Sequence, residues 1–179
     1  MSELREGGHI TIREANREDE QRLRAIAFTA KATWGYDRDR VRAWAETLQL
    51  FGETAPTAEI YLAETAGLAI AWMRLVPGNE SCVLEDLWVE PISQKAGLGT
   101  KLFRFAERRA WQLDAPRLEW EAEPHAIGFY GRMGGRHIRD TPRNEWGRTL
   151  PVMAVFPLAG ELRTRRATRL QGNSARRPR

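Results

Sequence analysis

Residues 9–15, "HITIREA", alternate apolar and polar side chains with Ile10 and Ile12 on one face, a period of two that predicts a first strand. The period then becomes helical. Asn16 is placed to cap a helix with Asp19 three residues later, and Leu23, Ile26 and Ala27 recur at helical spacing to about Ala30. "TWGYD" breaks that helix, and a second is predicted from near Asp37, with Val41, Trp44, Ala45 and Leu48 on one face and residues 52–56 ending it. "AEIYLAET" (58–65) and "LAIAWMRLVP" (68–77) read as an antiparallel hairpin turning at Ala66 and Gly67, and "SCVLEDLWVEP" (81–91) as a third consecutive strand. Residues 97–113 return to the helical period through Leu98, Leu102, Phe105, Ala106 and Leu113. A strand at 117–123, a short helix at 124–135 opened by Pro124 and closed by Gly134 and Gly135, and strands at 136–140 and 149–158 complete the order. No internal repeat is visible. A meander followed by a helical crossover predicts an α/β fold with a mixed, mainly antiparallel sheet flanked by helices.

A chain of 179 residues, 42% of them hydrophobic, can build one domain around a substantial core. No apolar stretch approaches the roughly 18 residues of a membrane span, and "MSELREGGHI" is too charged for a signal-peptide core, so a cytoplasmic protein without a membrane partner is expected. The lone cysteine, Cys82, excludes an intrachain disulfide framework and a cysteine zinc cluster, and its place in a strand reads as a small buried hydrophobe. The net charge of +4 is unevenly placed: residues 161–179 hold seven arginines and one acid, leaving residues 1–160 at −2. The expected organisation is a folded domain over 1–160 and an arginine-rich tail over 161–179, disordered or weakly helical. Nucleic-acid binding would then fall to the tail, because the folded body is not basic.

The candidate chemistry begins with "QKAGLG", residues 94–99, between the third strand and the helix that follows it. Gly97 and Gly99 lie where the free N–H groups and the positive end of the helix dipole coincide, an arrangement that receives anions. The spacing is neither a Walker loop nor the three-glycine dinucleotide fingerprint. Taken alone, it fits a tight strand-to-helix connection as well as it fits a phosphate site.

Four segments in order change that balance: "KATWGYD", "LEDLWVEPISQKAGLGTKL", "EPHAIGFYGRMGG" and "PRNEWGRTLPVMAV". Over roughly residues 10–158 the chain resembles the GNAT acetyltransferase superfamily, whose Q/R-x-x-G-x-G/A loop binds the pyrophosphate of acetyl-CoA. The resemblance implies a splayed strand pair for acetyl-CoA as the acetyl donor, with no metal. It places Gln94, Lys95, Ala96, Gly97, Leu98, Gly99 and Thr100 at the pyrophosphate. Amides of Leu87, Trp88 and Val89 would serve the pantetheine arm and the thioester oxygen. His125 stands where the family often has Asn, and Glu123 where it has Asp; His125 is carried into the cofactor-binding set, with its direction open between cofactor and solvent.

Tyr130 would lie beside the sulfur as general acid, the alternative being an aromatic packed on the sheet beside Phe129. Strict alternation puts Glu85, Leu87 and Val89 on one strand face and Asp86, Trp88 and Glu90 on the other, so a single acid is expected to face the cleft. Glu85 is the expected base, directly or through water, because the family often places a Glu at this level of the strand, the alternative being a solvated or salt-bridged carboxylate. Trp34 and Tyr36 would line the acceptor side, and Glu121 with Glu123 would steer a cationic amine or be plain surface charges. Trp44, Trp72 and Trp111 are expected to serve packing. The implied activity is acetyl transfer from acetyl-CoA to a primary amine of a small molecule or peptide, possible also as a homodimer. The alternatives are a noncatalytic acyl-CoA-binding module and a nucleic-acid binder acting through the tail.

Overall fold

The computed structural model describes residues 9–52, 57–144 and 146–157; the arginine-rich tail and the last residue of the final predicted strand lie outside them. Seven strands form one sheet in the order β1-β2-β3-β4-β5-β7-β6. They are β1 (Thr11–Glu14), β2 (Glu59–Thr65), β3 (Leu68–Val76), β4 (Cys82–Val89), β5 (Leu118–Glu121), β6 (Arg136–Asp140) and β7 (Pro151–Val155). All neighbours are antiparallel except β4 and β5, which are joined through the helix α3 (Leu98–Gln112). Helices α1 (Glu20–Ala32) and α2 (Arg38–Thr47) come between β1 and β2, and the short α4 (Ile127–Arg132) between β5 and β6.

Helix starts follow local capping. The Asn16 side chain accepts from Glu18 N–H while Asp19 reaches back to the Asn16 amide, and this reciprocal pair organises a 3₁₀ turn at Arg17–Asp19. The α-helix proper therefore begins four residues after the predicted cap. Asp37 caps α2 by accepting from Arg40 N–H at 2.8 Å.

The central strands of the sheet are buried on both faces, while the edge strand β6 is exposed. Against one face, α3 contributes Leu98, Leu102, Phe103 and Ala106 to a core with Met73, Leu84, Trp120 and Tyr130. Against the other, Leu23, Ile26 and Ala27 of α1 pack on Leu62, Trp72 and Trp88. Trp72 is wholly buried and satisfied, its indole N–H donating to the Leu23 carbonyl at 2.8 Å. Cys82 is buried too, and burial pushes its thiol up to about 11.

Two departures from regular pairing create the site. β4 and β5 pair only at Cys82 with Leu118 and Val83 with Glu119, after which both strands continue without each other. On its other side β4 pairs β3 with Arg74 opposite Asp86 and Leu75 opposite Leu84, so Glu85 is the extra residue of a β-bulge. The bulge inverts the side-chain parity of β4. Leu84, Leu87 and Val89 then share the α3 face, while Trp88 points toward α1.

Candidate active site

Between the diverging ends of β4 and β5 lies a cleft of ≈ 570 Å³, bounded by the α3 turn at one end and by Ala30, Trp34 and His125 at the other. β4 lines it from Glu85 to Val89. The Glu90 amide donates to the Ile70 carbonyl, so alternation along the strand turns the Trp88 amide toward β3 and the Leu87 and Val89 amides into the gap. Of the three amides expected there, that of Trp88 therefore does not face the gap, because its N–H belongs to the ladder with β3. The Leu87 and Val89 donors face a region with no strand opposite.

The α3 turn has the features an anionic group needs. Gly97 is the N-cap residue at φ 80°, a conformation that favours glycine, and Lys95 just before it also has positive φ at 64°. The first helical bond runs from Lys101 N–H to the Gly97 carbonyl at 3.0 Å, and no side chain caps the helix. The amides of Leu98, Gly99 and Thr100 consequently lie outside the helical ladder at its positive end. No acid occupies the first turn, and Gln94, Lys95, Gly97, Gly99 and Thr100 all line the cleft. These residues fit a pyrophosphate. Gln94 also ties the loop back to the strand, donating to the Val89 carbonyl at 3.0 Å. Ala96 and Leu98 do not line the cleft; Leu98 is buried beneath the helix as a core side chain.

At the middle of the cleft the bulge changes the expected division of the two acids. Glu85 and Asp86 both line it, where strict alternation allows only one. Glu85 is partly open, its side chain 41% exposed, whereas Asp86 is 6% exposed. Arg74 lies within ion-pair distance of each, at 3.1 Å from Glu85 Oε2 and 2.8 Å from Asp86 Oδ2. Neither contact is aligned as a hydrogen bond, and the buried Arg74 Nε and Asp86 Oδ2 have no hydrogen-bond partner among the described residues. Asp86 Oδ1 accepts from the Trp88 indole at 2.8 Å.

Tyr130, on α4, borders the cleft from the α3 side. Its ring packs at 4.8 Å from Trp120 and 5.1 Å from Phe129. Burial, and secondarily the charge on Asp86, push its hydroxyl well above the ordinary 10.0, so the phenol stays protonated. α4 is held close to the sheet by Gly135, where an added Cβ would lie 2.7 Å from Trp120 and 2.9 Å from the Tyr130 carbonyl oxygen.

The far end is aromatic. Trp34 stacks on His125 at 5.5 Å and contacts Trp88 at 5.6 Å. Tyr36 is not in the cleft wall itself but stands behind it, donating to Glu123 Oε2 at 3.0 Å and accepting from Arg148 at 2.7 Å. Glu121 lines the cleft and has no ion-pair partner among the described residues; Glu123, also in the lining, pairs with Lys31 and Arg148. Lys31, Arg74 and Arg148 are absent from the sequence-derived site. Lys31 did carry a signal, since Leu23, Ile26, Ala27, Ala30 and Lys31 form one i, i+3, i+4, i+7, i+8 stripe that buries it.

A family model described as "Acetyltransferase (GNAT) family" matches residues 14–135. No curated protein sequence matches significantly. Among solved structures, the chain is similar to the PaiA N-acetyltransferase of Thermoplasma acidophilum in complex with coenzyme A, at TM-score 0.69 and 16% identity over 83% of this chain and 99% of that one. The ribosomal-protein-S18-alanine N-acetyltransferase of Escherichia coli matches at TM-score 0.64 and 19% identity over 86% and 97% of the two chains. An aminoglycoside 6′-N-acetyltransferase complexed with coenzyme A matches at 0.61 and 16% over 82% and 96%. At these identities the likeness is one of fold. With the family model spanning well over half of the sequence, the chain belongs to the GNAT acetyltransferase family.

Proposed function

We propose that the protein transfers an acetyl group from acetyl-CoA to a primary amine by direct attack within a ternary complex. The observation that carries this reading is the gap between β4 and β5, with Leu87 and Val89 amides facing it, an uncapped helix terminus at one end and a protonated Tyr130 on its flank. The fold neighbours complexed with coenzyme A support the donor. Acetyl-CoA supplies an activated thioester; the remaining tasks fall to this chain's residues. The turn amides and Lys95 hold the pyrophosphate, and the Leu87 and Val89 amides orient the thioester oxygen and stabilise charge developing on it. Glu85, the more exposed acid, accepts the proton lost by the amine as the N–C bond forms. Tyr130 gives a proton to sulfur as the C–S bond breaks, leaving free thiol and N-acetylated product. Glu121 draws a cationic amine toward the opening, where it releases its first proton to solvent and attacks as the neutral amine, the second proton passing to Glu85.

Arg74 within ion-pair distance of both Glu85 and Asp86 favours a second reading, in which the two acids hold the strands together and take no part in chemistry. In that reading the protein binds acyl-CoA without transferring the acyl group. A library of amines incubated with acetyl-CoA and followed by thiol release separates the two. Amine-dependent release is expected, and calorimetric binding of acetyl-CoA without release to any amine would establish the noncatalytic module.

A further inference from the structure

The charges that line the cleft are divided along its length. Among the described residues its acids, Glu85, Asp86, Glu121 and Glu123, belong to β4, β5 and the turn after β5, whereas its permanent cations, Lys95 and Arg132, come from the loop before α3 and the last residue of α4. Three of the acids have cationic partners inside the protein, Arg74 for Glu85 and Asp86, and Lys31 with Arg148 for Glu123. The two cations have none. Both side chains are exposed, and neither makes a hydrogen bond or ion pair with any described residue. Arg132 differs in this from arginines on the elements around it, since Glu107 holds Arg104 at 2.6 Å and Glu119 holds Arg139 at 2.8 Å.

The helical period fixes where Arg132 stands. Ala126, Phe129 and Arg132 recur every three residues as one stripe of α4, and all three line the cleft. The Phe129 ring reaches the α3 turn, where a Cβ on Gly99 would lie 3.6 Å from it, and one residue beyond Arg132 the Met133 carbonyl accepts from Arg104 of α3 at 3.5 Å. α4 therefore carries Arg132 past the first two turns of α3. Its guanidinium leans back toward the start of α4, as long helical side chains do, with one terminal nitrogen 3.7 Å from the point that a Cβ on Gly128 would occupy.

Acetyl-CoA carries phosphate in two places, the pyrophosphate and a monoester on the 3′ position of its ribose. The α3 turn offers its free amides and Lys95 to the first. Arg132 stands on a different element and remains for the second. We propose that Arg132 reads the 3′-phosphate of the donor and so distinguishes coenzyme A from its dephospho form. The proposal rests on acetyl-CoA as the donor and adds a specificity-determining residue to that site. A guanidinium presents two parallel N–H groups to one phosphate, and a phosphomonoester at neutral pH carries a charge of about −1.5 to −2. An exposed arginine without an internal partner gives up no protein contact when that group arrives.

Calorimetry tests this with CoA and dephospho-CoA, which differ only in the 3′-phosphate, on the full chain and on Arg132→Gln, Arg132→Lys and Lys95→Gln. A bidentate, charge-assisted contact at an exposed site predicts that the wild-type protein binds CoA roughly 10-fold more tightly than dephospho-CoA. The ratio should fall to near one in Arg132→Gln through weaker binding of CoA alone, and recover in part in Arg132→Lys, which restores the charge without the fork. Lys95→Gln should weaken both ligands alike and leave the ratio in place. Equal affinity of the wild-type protein for the two ligands, a ratio unchanged in Arg132→Gln, or an equal loss of both that puts the arginine at the pyrophosphate would each overturn the proposal. Binding is read without turnover, so the two readings fail separately. An Arg132-dependent ratio with no thiol release to any amine removes acetyl transfer alone; thiol release with an Arg132-independent ratio removes the 3′-phosphate contact alone; absence of CoA binding removes both.

Discussion

Replacing Tyr130 by Phe separates a chemical role from a packing role, because the two depend on different atoms of one side chain. The ring supplies the packing: it sits 4.8 Å from Trp120, 5.1 Å from Phe129 and 5.9 Å from Phe103, and Phe keeps all three contacts. The hydroxyl makes no hydrogen bond to any described residue although Tyr130 is only 8% exposed. Tyr130 lines the cleft and its hydroxyl is not among the buried atoms without a partner, so deleting that oxygen breaks no protein hydrogen bond and should change stability by at most about 1 kcal/mol. The same deletion removes the only proton donor assigned to the departing sulfur. A positioned general acid contributes at least about 10²-fold, which is roughly 2.7 kcal/mol of barrier. Tyr130→Phe should therefore melt near the wild-type temperature, bind CoA normally, and lose two or more decades in rate. Single-turnover measurement is needed because slow product release hides a loss in the chemical step. A near-wild-type single-turnover rate in the folded variant would return Tyr130 to packing. A marked fall in stability would show that the hydroxyl has a structural partner and that the rate loss has another origin.

At the α3 turn, a Cβ on Gly99 would meet Phe129 at an ordinary 3.6 Å, so Gly99→Ala should fold and bind CoA. Gly99→Asp should fold equally well, since a carboxylate favours a helix N-terminus, yet lose CoA in calorimetry by repelling the pyrophosphate; retained affinity in a folded Asp variant would remove the loop from the site. Gly135→Ala places a Cβ against fully packed Trp120 and backbone, and should cost about 1–3 kcal/mol, read as a lower urea midpoint with unchanged slope. On the acid side, Arg13 lowers the pKa of Asp19, Arg109 that of Glu59, and Arg139 with Arg117 that of Glu119, from ordinary values of 3.8 for Asp and 4.5 for Glu. The unfolded chain then binds more protons over the interval below those values, so this stability is complete above pH 4.5 and is lost as pH falls through the folded values. Glu119→Gln should flatten the acid limb of a melting-temperature profile, and an unchanged limb would show that its two arginines contribute nothing.

The parts of the fold that follow one period were legible along the chain. The alternating run at 9–15 became β1, the two hairpin runs became β2 and β3, and the Leu98, Leu102 and Ala106 stripe buried α3 as expected. What was hidden lies where a period is broken or where a residue defies its type. Lys31 continues the buried stripe of α1 in register, but a lysine reads as solvent-facing unless the aromatic and acidic partners that receive it are known. Those partners come from α2, β4, the turn after β5 and the segment before β7, so no local window contains them. Glu85 presents the sharper case. Nothing in "LEDLWV" announces a bulge, because the extra residue exists only relative to β3. Yet that residue decides which side chains of β4 share a face, brings both acids to the cleft, and puts Arg74 beside them. The alternation rule failed at the one place where the strand must serve two purposes, pairing with β3 on one side and leaving Leu87 and Val89 unpaired on the other. A bulge reconciles those demands by twisting the strand away from β5 without breaking its ladder to β3, which makes the gap and the paired acids consequences of a single inserted residue.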